Sequence, residues 1–390
     1  MRSLYSGGSV AAFLVPYTEE FLIMARAITN NDPGLLACQV APVLFRGGTG
    51  EGKSSVMEAL AGALERTFIP LLGSTHLPED FSGYPTPDHK ERIVHMMPTS
   101  WVAKTKDGKA LILIDELTNV PSATQAGLLS VITERRVGDY QMPASTLIVA
   151  ACNPPELCPN AVPLAPAMRS RFVHFDWVID WEAWFSGLRL GCQWGAPTFP
   201  LVPDNWEEML PQFGGLVEAF LRSAPDARTK LPQDDETMAF PTLRTWTYLV
   251  RCFAAADACG YERKDPMFRS LSHACVGEEI GGEFLRYWHK LDLLNPESIL
   301  SGEETYSYEK APDKNICLLT GLVKELRSNS DKERWLNAAA AFIEIGQHEI
   351  ESFLMAFKSF WRPVKDGGVR PDGWSPPKDV LAQLMALVQS

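Results

Sequence analysis

The chain has 390 residues, 46% of them hydrophobic and 22% charged, with a formal net charge of −12. This is an ordinary globular composition, long enough for about two or three domains. Its acidity argues against a general nucleic-acid binder, which normally carries a basic face. Eight cysteines without a CxxC pair and seven dispersed histidines exclude a zinc motif and read as reduced core thiols. No apolar run approaches the roughly 18 residues of a membrane span. Val10 to Pro16 is too short and poorly flanked for a signal peptide, so the expected compartment is the cytoplasm.

Ala41 to Phe45 predicts a short buried strand that runs into glycines. The helical pattern behind it places Val56, Met57, Leu60 and Leu64 on one side. Ala110 to Ile114 (ALILI) predicts a second buried strand, and a helix follows from Pro121 to Glu134 with Leu128, Leu129 and Ile132 inward. Thr146 to Ala151 and Phe172 to Phe175 supply two more strands. Solid apolar strands alternating with helices imply a parallel sheet covered on both faces. The Gly- and Pro-rich segment 186–204 breaks the pattern. Beyond it the period is helical over Thr242–Phe253, Gly282–Leu293, Asp313–Arg327, Asp331–Phe360 and Asp379–Val388, with loops at 295–312 and 362–378. The expected fold class is α/β, a P-loop core over 1–185, then a linker over 186–204 and an all-α region over 205–390.

The first strand ends in "LFRGGTGEGKSS", where Gly47, Gly52, Lys53 and Ser54 fit G-x-x-x-x-G-K-[ST]. Glycines let successive N–H groups turn inward as an anion nest at a helix N-terminus. Gly47, Gly48, Thr49, Gly50, Glu51, Gly52, Lys53, Ser54 and Ser55 are therefore the expected cradle for a nucleotide polyphosphate, with Ser54 facing Mg²⁺. The second strand ends in Asp115-Glu116, at the carboxyl edge where open α/β sheets bind ligands. Asp115 is the expected metal partner, and Glu116 the general base that polarises water. Asn153, which closes the third strand, can orient that water. Arg169 and Arg171 in PLAPAMRSRFVHF either reach a neighbouring subunit's γ-phosphate or pair with surface acids.

GGTGEGKSS, IDELTNVPSATQAGLLSVITERRV, ACNPPE and LAPAMRSRF resemble, in order, the Walker A, Walker B, sensor-1 and arginine-finger segments of AAA+ ATPases of the MoxR group. STHLPEDFSGYPTPD and MMPTSWVAK resemble that group's insert, about 74–103 here. The match is good over roughly 35–180 and faint beyond 260. The resemblance implies a hairpin around His89–Met97, a second at Val137–Met142, both facing a central pore, and an AAA+ core followed by a helical lid. It implies that Arg171 is the trans finger, with Arg169 as the alternative where family members often carry D-R-F. It also points to a second sensor in FPTLRTWTYLVRCF, where Arg244 stands off a buried stripe of Leu243, Trp246, Leu249, Val250 and Phe253. Trp177, Trp181, Trp184 and Trp194 are expected to pack between core and lid. The implied assembly is a homo-hexameric ring that hydrolyses ATP to remodel a protein complex, commonly with a von Willebrand factor A domain partner. A nucleic-acid translocase and a non-catalytic nucleotide-gated scaffold are the alternatives.

Overall fold

The computed structural model describes residues 31–158, 161–191, 198–290 and 296–389. Val10 to Pro16, Cys192, Trp194 and Leu293 lie outside the described residues. The chain divides into two compact units, Met1–Leu201 and Val202–Ser390.

In the first unit α1 (Asp32–Ala37) leads to β1 (Val43–Arg46), α2 (Lys53–Ala63) and β2 (Thr67–Leu72). Next come α3 (Glu79–Ser82) and a hairpin of β3 (Tyr84–Asp88) with β4 (Ile93–Met97). β5 (Ala110–Asp115), α4 (Ser122–Glu134) and a short hairpin of β6 (Arg136–Val137) with β7 (Tyr140–Gln141) follow. The unit continues through β8 (Leu147–Cys152), α5 (Pro166–Arg169), β9 (Val173–Asp176) and α6 (Trp181–Arg189). Five strands form one sheet in the order β2-β5-β8-β1-β9, with every pair parallel. Val43, Leu44, Ile112, Ile114 and Val149 are at most 1% exposed, as a sheet covered on both faces requires.

β2 is the one strand of the sheet that the apolar pattern does not announce, because TFIPLL carries Pro70. The strand lies at the sheet edge, where a missing N–H costs no ladder bond on the open side. In α4 the inward residues are Leu128, Val131 and Ile132, while Leu129 is only half-buried.

The second unit is helical: α7 (Leu210–Ser223), α8 (Leu243–Ala258), α9 (Pro266–Val276), α10 (Glu278–Lys290), α11 (Pro296–Leu300), α12 (Pro312–Ser328), α13 (Lys332–His348), α14 (Ile350–Trp361) and α15 (Lys378–Gln389). The long helix expected over 331–360 is two helices, broken at Glu349, whose φ of −140° and ψ of 78° leave the helical region. Glu349 is held there by hydrogen bonds from Tyr308 and Ser352. The helix α7 escapes a sequence reading because it contains Gly214 and Gly215. A Cβ at Gly215 would stand 2.3 Å from Ile316 Cγ2, so the glycine permits close approach of α7 and α12. Phe213, Phe253, Phe268, Phe284 and Trp288 make one aromatic core, and Trp335, Phe342, Phe353 and Phe360 anchor a second.

Candidate active site

The glycine-rich loop leaves β1, between β8 and the edge strand β9, and enters α2. Gly47 N–H donates to the Cys152 carbonyl at 3.1 Å, which fixes the start of the loop to the end of β8. Gly50 and Gly52 both have φ of 80°, a left-handed conformation that L side chains rarely adopt. At Gly48 a Cβ would lie 2.4 Å from Glu51 Oε1, so a side chain there would displace the Glu51 carboxylate. Glu51 braces the turn by accepting from Gly48 N–H at 2.6 Å. Its carbonyl accepts from Trp177 Nε1 at 2.9 Å, and Trp177 packs edge-on against Phe45. Trp177 is thus a brace of the loop within the first unit.

Lys53 is the first residue of α2 and only 8% exposed. Its ammonium donates to Gly47 O at 2.8 Å, to Gly48 O at 2.7 Å and to Asn153 Oδ1 at 3.4 Å. Burial lowers its pKa, opposed by the charges of Asp115 and Glu51. Three uncharged acceptors around a desolvated ammonium leave room for an anion to stabilise it. Ser54, one residue on, donates to Asp115 Oδ2 at 2.6 Å.

Asp115 and Glu116 stand where β5 ends. Glu116 has φ of 57°, and its N–H donates to Asp115 Oδ1 at 2.8 Å. A left-handed non-glycine residue costs about 1–2 kcal/mol, and strain of this kind clusters at functional sites. The turn aims the two carboxylates differently: Asp115 toward Ser54, Glu116 toward Ser74, whose hydroxyl donates to Oε2 at 2.6 Å. Ser74 is a site residue that the sequence reading missed, since it follows the unannounced β2. Gly73 makes the approach possible, because a Cβ there would meet Val120 Cγ2 at 2.4 Å.

Asn153 follows β8. Its Nδ2 donates to Thr49 Oγ1 at 3.2 Å and to Cys158 Sγ at 3.6 Å, while Oδ1 faces Lys53. Cys152 beside it is no nucleophile, because burial pushes its thiol up to about 12.

The two candidate fingers differ in exposure. Arg169 is buried (1% exposed), and its carbonyl lies 2.7 Å from His174 Nε2. Arg171 is half-buried, and its guanidinium donates to Thr133 Oγ1 and to the Ala167 carbonyl. Arg244 belongs to the second unit, half-buried in the first turn of α8 behind a capping box of Thr242 and Thr245. The stripe beside it is Trp246, Leu249 and Phe253; Leu243, the first residue after the cap, is 77% exposed, and Val250 is half-buried.

Both expected hairpins exist, the first beginning at Tyr84, before His89. They are joined: Asp139 N–H donates to Met96 O at 2.9 Å, and Met96 N–H to Asp139 Oδ2 at 3.0 Å. Val137 and Met142 are at most 1% exposed, so they seat the second hairpin and leave its tip to Gly138, Asp139 and Tyr140. Trp181 is 56% exposed, in ring contact with Trp184 and Phe185 of its own helix.

The donor set fits a nucleotide with Mg²⁺. Hydroxyl and carboxylate oxygens suit that ion, which takes one or two carboxylates together with substrate phosphates. Among the described residues no cluster of three or more His, Cys, Asp or Glu is arranged to hold a metal by itself. Described helices include none long and apolar enough to cross a membrane.

A glycine loop, an acid pair two strands away and an asparagine between them define a P-loop nucleotide-binding core. Residues 42–172 match the family model for the AAA domain (dynein-related subfamily), a segment that runs from β1 through α5. The first unit therefore carries an AAA-family nucleotide-binding core, followed by a helical region. No curated protein matches the chain. Among solved structures, one from Cytophaga hutchinsonii ATCC 33406, described as a "putative ATPase", is 14% identical, with a TM-score of 0.41, and the match covers 69% of this chain and 93% of that one. A likeness at that level adds nothing to what the match of residues 42–172 carries.

Proposed function

We propose that this protein hydrolyses ATP as a subunit of an AAA+ ring, most simply a homo-hexamer, and uses the cycle to remodel or activate a protein complex. The observation that supports the reading best is the convergence of Lys53, Ser54, Asp115, Glu116 and Asn153 at the ends of three adjacent strands. The loop N–H groups and Lys53 hold the β- and γ-phosphates. Ser54 and Asp115 would hold Mg²⁺, which when bound neutralises charge on the phosphate oxygens. Glu116 takes the proton of the attacking water, and Asn153 orients that water through its amide. Arg171 supplies positive charge to a neighbour's γ-phosphate; the burial of Arg169 disfavours it for that task. Arg244 couples the helical unit to nucleotide state, and the joined hairpins face the client. A von Willebrand factor A domain protein is the partner class this reading favours, and a cytoplasmic location goes with it.

The test is complementation. An arginine at the γ-phosphate is worth about 10³-fold or more in turnover. Arg171→Ala should keep nucleotide affinity and lose hydrolysis, and mixing it with Lys53→Ala protein should restore part of the phosphate release. The mixed ring joins an intact pocket on one subunit to an intact finger on the next. Absence of rescue in rings verified by sedimentation overturns the trans assignment.

A further inference from the structure

The second unit contains a cleft of about 510 Å³ that the functions above do not use. The loop before α9 gives it Arg263 and Lys264, α9 gives Arg269 and His273, and α10 gives Arg286 and His289. In a chain of net charge −12, four permanent cations meet here. Asp265 and Glu278 are the acids of the lining, and Asp265 is engaged in capping α9, where it accepts from Met267 N–H at 2.8 Å. Among the described residues, Lys264, Arg269 and Arg286 enter no salt bridge. Packing does not require this charge. The two helices are held together by Phe268, Leu271, Phe284 and Trp288, and by the close approach of Gly281 to Ser272, whose hydroxyl donates to the Gly281 carbonyl at 3.1 Å.

The cleft is also partly organised in advance. The Arg263 guanidinium stands 5.3 Å from the centre of the Trp288 ring, and the Arg263 carbonyl lies 3.3 Å from His289 Nε2. His273 has its pKa lowered, first by burial and then by the charge of Arg269, with Glu278 acting the other way. The Arg269 charge therefore reaches His273 across the cleft, with Glu278 opposing it in part. A volume near 500 Å³ falls within the roughly 300–1,000 Å³ of small-molecule sites. Guanidinium forks match phosphate oxygens in pairs better than an ammonium does.

We propose that the cleft between α9 and α10 binds a small phosphorylated polyanion, held by Arg263, Lys264, Arg269 and Arg286. The site lies wholly in the helical unit, so its test must silence the glycine loop of the first unit. Full-length Lys53→Ala protein serves, titrated with inorganic pyrophosphate while calorimetry and the His273 and His289 ring resonances are followed. Saturable binding of one equivalent is expected, with the His273 pKa moving upward because an anion favours the imidazolium. Arg269→Ala with Arg286→Ala in that background should weaken binding about tenfold or more without changing the melting temperature. The matching pair of lysine substitutions keeps the charge and should lose less. Wild-type protein with its glycine loop filled by ADP provides a second background and should give the same result. Failure to saturate at millimolar pyrophosphate in both backgrounds overturns the proposal, as does binding indifferent to the paired substitution. Equal binding of citrate overturns the phosphate assignment. Single-stranded oligonucleotide binding tenfold tighter than pyrophosphate overturns the small-ligand reading in favour of nucleic acid.

Discussion

The two units reach order by different means. In the first, the centre is aliphatic and β-branched, with Val43, Ile112, Ile114 and Val149 in solid strands. In the second it is aromatic, with Phe253 within 6 Å of Phe213, Phe268, Phe284 and Trp288. Parallel strands all end on the same edge, so side chains from 46–54, 115–116 and 153 are brought together wherever they lie in sequence. Packed helices have no common edge, and a cleft between two of them collects only what each helix displays. Chemistry and stability should therefore separate: polar strand-end substitutions in the first unit change turnover, and aromatic truncations in the second change folding.

The largest expected effect tests that separation directly. Glu116→Gln should lower ATP turnover by about 10²–10⁴-fold while leaving nucleotide affinity and melting temperature unchanged; hydrolysis at the wild-type rate would remove Glu116 as the base. In the second unit, Phe253→Ala should cost about 3–5 kcal/mol of stability, measured by urea unfolding, because the ring is fully buried among four others. Turnover per folded molecule should change little, and a loss as large as that of Glu116→Gln would break the comparison.

A third effect sits in the first unit without touching chemistry. Burial holds His174 down to about 4 from its ordinary 6.5, against the hydrogen bond to the Arg169 carbonyl. Between those values the unfolded chain binds the proton and the folded chain does not. Stability is then lost as pH falls from 6.5 toward 4, by at most about 3 kcal/mol. His174→Gln should flatten that part of the stability profile; an unchanged slope would show that other groups carry it.

The smallest effect sharpens the account of Glu116. Ser74→Ala removes one donor to the carboxylate, worth about 1 kcal/mol. The freed oxygen is a better acceptor, so basal turnover should rise a few-fold with nucleotide affinity unchanged. A fall would mean that Ser74 holds Glu116 in its working orientation.

Much of this site is written in short stretches of sequence. Glycines before Lys53-Ser54 answer a local demand for left-handed backbone and close approach, and Asp115-Glu116 ends an apolar run that can only be a buried strand. Such features depend on near neighbours, so they can be read without the fold. Ser74, Trp177 and Cys158 could not be read in this way. Ser74 and Trp177 act through partners brought near by the sheet: Glu116 is 42 residues from Ser74, and the Glu51 carbonyl is 126 from Trp177; Cys158 meets Asn153 only through the fold of the loop after β8. The edge strand that leads to Ser74 was hidden by Pro70, whose tolerance depends on which side of the strand lacks a neighbour. Arg169 and Arg171 look alike in R-S-R-F, and only packing buries one and leaves the other near the surface. The cationic cleft is more dispersed still, since Arg263, Arg269 and Arg286 share no motif and meet because α9 and α10 pack side by side. The sequence by itself determined the alternating α/β core and its phosphate loop, because both rest on local backbone geometry and hydrophobic period. Tertiary structure alone decided which distant side chains hold that loop and its acids in place, because their spacing is set by strand order and helix packing.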